Sequence, residues 1–385
     1  MQFVFSLAPS FEALLASPGY AIFFIFLLLI ARFLKLTSFD EKPRITRRKN
    51  KRQNSSRKCS EEDDQCAKID LGELFGQCSI LQEPYTPPAI WGRNGHIQTM
   101  AYGLLGHHSL RRTFDNRHLL RLLDGTTATF DVFEPVCAHQ NGGDFTLVFC
   151  PGIANCSESN YIRTCVHLVQ EKAYFTEDFF IWRKRMGANV LTNCFAGLDR
   201  EICSRVLLGI SVCQGYCASD GASLLFDWEG GRRLYNYIIT ENLKRLLRRN
   251  YTMAVQPYVR TGLVDEQKLW SSTSLLWFDE CYSRRVHNFT SDIKIPMIFV
   301  NTLDDPLVPE ALWDPVRQLC ESHPLHSFVL LKHGGHLGFL EGNSLRPRSV
   351  TWLDRFILEM AEAARAHVEQ SEMSATGTSF EEASE

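Results

Sequence analysis

Four apolar runs of strand length punctuate the chain, and three of them stop at turn-forming residues. Phe145-Thr146-Leu147-Val148-Phe149-Cys150 ends in Pro151-Gly152, and Ile295 to Val300 ends in Asn301-Thr302-Leu303-Asp304-Asp305-Pro306. Ser327 to Leu331 ends in Lys332-His333-Gly334-Gly335-His336, while Val206 to Val212 is interrupted only by Gly209 and Ser211. Short runs without two-residue alternation predict strands buried on both faces. Helical spacing lies between them. Tyr161 to Lys172 repeats Ile162, Cys165, Val166, Leu168 and Val169, and Val190 to Leu198 and Trp352 to His367 read the same way. Gly92 to Thr99 reads as a loop leading into a helix. Around Leu119–Leu123 and Thr127–Phe133, two shorter runs flank Asp124-Gly125 and predict a hairpin. From Ala218 to Arg285 the chain is helical and aromatic. Strands separated by helices predict an α/β fold on a mostly parallel central sheet, with a helical cap over about 218–290. No internal repeat shows.

The N-terminal pattern differs. Residues 13–31 carry no charge and predict a transmembrane helix, preceded by a short segment over 1–12. No basic stretch precedes it, which argues against a cleaved signal peptide. Residues 32–58 hold eleven Lys/Arg against Asp40 and Glu41, so the positive-inside bias places the following domain on the cytosolic side. The same run suits anionic lipid. Residues 32–83 are mostly polar and read as a linker. The globular domain is expected over 84–368, followed by an acidic, disordered tail over 369–385.

Composition narrows the function classes. The 385 residues carry a net charge of −3, with 45% hydrophobic and 22% charged residues. That is globular and not the basic footprint of a nucleic-acid binder. The thirteen Cys form no C-x-x-C pairs and mostly fall in apolar runs, so free thiols are expected, with no zinc site, disulfide framework or cofactor.

Three strand ends supply candidate chemistry: a Pro-Gly turn, an Asp-Asp-Pro turn and a His-Gly-Gly-His turn. That is the chain order of oxyanion loop, acid and histidine in a serine hydrolase of α/β type. Asp305 and His336 fit the acid and base. The bland alternatives are that Asp304 or Asp305 merely caps the helix starting near Pro309 and that His333 or His336 is a loop histidine; the three turns taken together favour the hydrolase arrangement. The expected elbow is Arg185-Met186-Gly187-Ala188-Asn189-Val190-Leu191. With Gly187 as the second glycine of Gly-x-Ser-x-Gly, the nucleophile position holds Arg185 and the first-glycine position Arg183. A guanidinium stays protonated and cannot form an acyl-enzyme.

From Pro84 to about Arg365 the chain resembles the α/β-hydrolase domain-containing protein 2 family, the membrane-anchored monoacylglycerol lipases. The matching stretches are Ile90-Trp91-Gly92 to Thr99, Thr129 to Pro135, Cys150 to Asn155, Ser211 to Tyr216, Asp304 to Val308 and His333 to Phe339. The resemblance implies an α/β-hydrolase fold, with Asp305 as charge-relay acid and His336 as base. It also implies oxyanion N–H groups from Ile153 and Met186, a lipid-ester substrate such as a monoacylglycerol, and membrane attachment in type II orientation. Here the sequence departs from the family. Only 33 positions separate Gly152 from Arg185, enough for one βαβ crossover of roughly 30 residues where two are needed. A second contraction lies between Ser291 and Asp292. Block losses beside well-matched flanks resemble skipped coding segments, and the sheet is expected to be incomplete, with a central strand lost and folding impaired. Gly209-Ile210-Ser211 begins another elbow, but Cys213 replaces its second glycine within a buried run. Two functions follow as alternatives: a lipid-ester hydrolase whose serine segment is absent here, or a catalytically dead membrane protein that binds a lipid or a partner.

Overall fold

The apolar runs become the middle of one sheet. A computed structural model describes residues 18–48, 69–105, 114–121, 127–136, 145–152, 155–171, 178–184, 205–215, 232–282 and 293–381. The remaining parts of the predicted span, linker, hairpin turn, cap and tail lie outside the described residues, as do the helix expected at 190–198 and the contraction at Ser291. In chain order the described elements begin with α1 (Pro18–Phe33), β1 (Arg44–Thr46), α2 (Leu71–Gln77), α3 (Gly95–Leu105), β2 (Asn116–Arg121) and β3 (Thr127–Val132). There follow β4 (Phe145–Cys150), α4 (Asn160–Gln170), β5 (Asp178–Lys184) and β6 (Val206–Val212). Within the span expected as a cap lie α5 (Arg232–Arg249), α6 (Tyr251–Ala254), α7 (Gln256–Arg260), α8 (Glu266–Ser271) and α9 (Leu275–Cys281). The chain closes with β7 (Met297–Thr302), α10 (Glu310–Ser322), β8 (His326–Leu331) and α11 (Trp352–Glu381).

The six-stranded sheet runs β1-β8-β7-β6-β5-β4. Strands β4 to β8 pair in parallel, and β1 is antiparallel on the outer edge of β8. Every residue of β6, β7 and β8 is buried, which is why these strands read as largely apolar runs without alternation. Helix α11 closes one face: Trp352 stacks on Phe356 at 5.0 Å between ring centroids and on Phe339 at 5.9 Å. Trp313 of α10 packs on Phe328 from the other cluster.

Strand β5 corrects the expected gap. Phe149 and Cys150 of β4 pair with Trp182 and Arg183, while Arg183 and Lys184 pair with Ser211 and Val212 of β6. Phe179, Phe180, Ile181 and Trp182 are aromatic and β-branched types that suit a strand, and one crossover through α4 delivers them beside β4. The described sheet therefore has no central break. Its shortfall is at the end, where β4 pairs with β5 alone, and β2 and β3 form a separate two-stranded sheet.

The stretch read as linker contributes to the fold at two places. Lys332 donates to Phe39 O (3.2 Å) and Glu41 Oε1 (2.6 Å), Arg93 pairs with Asp40 (2.7 Å), and β1 then adds to the sheet. Further on, Asp70 caps α2, whose Leu71, Leu74 and Phe75 join the core with Ile80, Phe356 and Met360. Polar composition hid these anchors because so few apolar residues suffice. At the other end, α11 continues to Glu381, past the helix end and into the tail expected from composition.

Helix α1 has 16 residues, about 24 Å at 1.5 Å per residue, against about 30 Å of hydrocarbon. Among the described residues no helix is long and apolar enough to cross a membrane, and 13–17 of the predicted span lie outside them. Its apolar side chains, Ile22, Phe23, Phe26 and Leu28 among them, are exposed.

Burial pushes His326 of β8 down to about 3, with neighbouring His323 adding to the effect. The folded protein keeps this imidazole neutral where the unfolded chain, with the ordinary value near 6.5, binds a proton. Stability is therefore full above about pH 6.5 and falls as the pH drops from there toward 3. Unfolding free energies from urea titrations should decline across that window, by at most about 1.4 kcal/mol per pH unit from this group. His326→Phe should flatten the decline.

Candidate active site

Strands β7 and β8 run in parallel register, Thr302 opposite Leu331, so their following turns emerge side by side. Asp305 Oδ2 lies 2.7 Å from His336 Nδ1, and both side chains are buried. Asp305 Oδ1 accepts from the backbone N–H groups of Leu307 (2.7 Å) and Val308 (2.9 Å). Asp305 does not cap the following helix, whose N-cap is Pro309 without a side-chain bond; one oxygen instead closes the turn at Leu307 and Val308 and the other faces the histidine. A carboxylate only accepts, so Nδ1 carries the proton and Nε2 is left in its basic form.

The neighbouring residues form a second pair. Asp304 Oδ1 accepts from Gly335 N (2.8 Å), and its Oδ2 lies 3.4 Å from His333 Nδ1. His333 Nε2 lies 2.8 Å from Ser38 Oγ, in the segment read as linker. Neither Ser38 nor this pairing was legible beforehand, because the contact spans 295 residues of sequence.

Helix α3 braces both turns. His336 N donates to Thr99 Oγ1 (2.8 Å), which donates to Gly95 O (2.7 Å), and Gln98 Oε1 accepts from Leu340 N (3.0 Å). A Cβ on Gly95 would lie 1.9 Å from Asp304 O. Gly335 has φ +58°, and a Cβ there would meet Gly95 O at 2.4 Å. Gly335→Ala should therefore combine left-handed strain with a backbone clash. The expected cost is more than about 1 kcal/mol in urea unfolding, together with loss of the Asp304 contact.

Cys213 follows β6 rather than lying within it, with φ +49° and a buried side chain. Its thiol, the Asp305 carboxylate and the His336 imidazole lie within 4.8 Å of one another. Gly152 N, after β4, donates to Tyr161 Oη (3.3 Å), a hydroxyl that burial pushes up to about 12 and keeps neutral. Arg185 at the expected nucleophile position and the expected oxyanion residues Ile153 and Met186 lie outside the described residues. Their neighbours Gly152 and Lys184 stand at the same edge of the sheet, after β4 and at the end of β5. The arrangement described can hold and move one proton at His336 and a second at His333.

No family model matches the chain. It is 34% identical over 344 residues to abhydrolase domain-containing protein 2 of Drosophila melanogaster, covering 74% of this chain and 86% of the relative. It is also 34% identical over 348 residues to monoacylglycerol lipase ABHD2 of Danio rerio, covering 75% and 80%. The 344 aligned positions exceed 74% of 385 residues, so the Drosophila relative carries residues that have no counterpart here. Among solved structures, an esterase of Pyrococcus furiosus is similar at 11% identity and a TM-score of 0.37, covering 60% of this chain and 88% of its own. That likeness is too remote to bear on the chemistry.

Proposed function

The chain belongs to the ABHD2 family of ester hydrolases, and from that premise we propose that it is a membrane-associated acylglycerol-type hydrolase whose elbow serine is absent. The observation that carries the reading is the buried Asp305–His336 pair at 2.7 Å, on the ends of adjacent parallel strands. In this reading His336 Nε2 takes the proton of an attacking hydroxyl and returns it to the leaving alcohol. Asp305 holds the tautomer and stabilises the imidazolium. The N–H groups of Ile153 and Met186 receive the developing oxyanion. The hydroxyl belongs at position 185, where this chain has arginine. The exposed apolar side chains of α1 and the basic residues of 32–58 support attachment to an anionic lipid surface. The positive-inside bias favours a cytosolic domain, and the family's type II orientation favours the opposite side.

A second reading rests on Arg185 itself. The chain would be a binding protein that retains a monoacylglycerol without cleaving it. The two are separated by Arg185→Ser: newly acquired hydrolysis that His336→Gln removes supports the hydrolase reading. Saturable binding without turnover in either form supports the binding reading.

A further inference from the structure

We propose that Ser38, His333 and Asp304 form a second acyl-transfer site, with Ser38 as the nucleophile toward fatty-acyl esters presented at a lipid surface. Serine, imidazole and carboxylate stand in series. Ser38 Oγ lies 2.8 Å from His333 Nε2, and His333 Nδ1 lies 3.4 Å from Asp304 Oδ2. Such a constellation is recognised by geometry and role, not by sequence position. The carboxylate fixes the tautomer, so Nε2 accepts from the serine hydroxyl. The longer His–Asp separation is of the kind that closes when substrate is bound. Both His333 and Asp304 are buried, and Asp304 is oriented by Gly335 N.

Ser38 itself is half-buried and stands at a held turn. Its N–H donates to Lys35 O (2.9 Å), and Lys35 has the left-handed φ of +53°. The flanking apolar residues face solvent, Leu36 at 45% and Phe39 at 78% exposure, in continuity with the exposed apolar side chains of α1. An acyl chain therefore has an apolar path to the hydroxyl. Two cations bind the same segment: Lys332 donates to Phe39 O, and Arg93 pairs with Asp40. Arg93 Nε is buried with no hydrogen-bond partner among the described residues, and its Nη2 is held by Asp40, two residues from Ser38.

The steps balance with water alone. Ser38 Oγ bonds to the ester carbonyl carbon while its proton passes to His333 Nε2. The carbon–oxygen bond to the alcohol then breaks, and the leaving oxygen takes that proton. Water adds to the acyl-Ser38 carbonyl, giving a proton to Nε2. Ser38 departs with the proton and the acid is released.

The test is fluorophosphonate labelling of the full chain on phosphatidylcholine vesicles, with the labelled peptide identified by mass spectrometry. Phosphonate on Ser38 is expected, absent in Ser38→Ala and at least 100-fold slower in His333→Gln. Asp304→Asn keeps an acceptor for Gly335 N and should also slow labelling, which decides the matter if His333→Gln does not fold. No label, or label only on another serine, overturns the proposal. The same experiment on Arg185→Ser should add a second labelled peptide at position 185. Its appearance without the Ser38 peptide would overturn this site alone and leave the Asp305–His336 reading standing.

Discussion

Arg185→Ser is expected to raise monoacylglycerol hydrolysis by about 10²–10⁴-fold, the range that a positioned general base supplies. Most of the proton-transfer machinery is already assembled. Asp305 and His336 are paired at 2.7 Å, and β5 carries the chain to the end of the sheet where that pair resides. On the proposed reading, what is lacking at 185 is an ionisable hydroxyl, since a guanidinium offers five donors and no nucleophile. The gain should vanish in Arg185→Ser combined with His336→Gln or with Asp305→Asn, measured with the same substrate in mixed micelles. An Arg185→Ser chain that folds, shown by circular dichroism, yet gains nothing would defeat the assignment of position 185.

Phe356→Ala should have the largest effect on stability. Phe356 is fully buried, stacks on Trp352 at 5.0 Å and sits in the cluster where α11 meets α2 and the sheet. Truncating a buried phenylalanine costs about 3–5 kcal/mol, from lost transfer energy and the cavity left behind. Domains of this kind have about 5–15 kcal/mol in all. Urea unfolding should show a lowered midpoint with little change in slope. A loss below about 1 kcal/mol would mean that α11 does not pack as described.

The buried strands were readable because burial on both faces leaves no polar alternation to disguise them. Asp305 and His336 were readable for a related reason: each follows such a strand directly, so finding the strand locates the residue. The aromatic run Phe179 to Trp182 lies where the sequence leaves too little length for the expected crossovers, so its local pattern alone does not mark a strand. It becomes a strand through pairing with β4 and β6, a non-local stabilisation that no local pattern announces. Residues 34–46 were obscured in the opposite way, since their charges suggest solvent. Arg93, Lys332 and His333 come from distant parts of the chain to receive them. Chain order favours Asp305 with His336, while the adjacent Asp304 and His333 leave a second pairing open in the sequence. The turn geometry, with Gly335 bonded to Asp304 and Val308 to Asp305, separates them.

Strand β4 finally has a meaning for the chain's life among other copies of itself. Within the described residues it is hydrogen-bonded along one side only, and its sequence, Phe145 to Cys150, holds no charge, proline or glycine. An unprotected row of peptide groups beside apolar side chains is a template on which a foreign strand can crystallise. Crowding, rather than the equilibrium between folded and unfolded chains, then sets how long a molecule stays solitary. Light scattering that climbs with protein concentration well below the melting temperature would register it, and a lysine at Thr146 should suppress it.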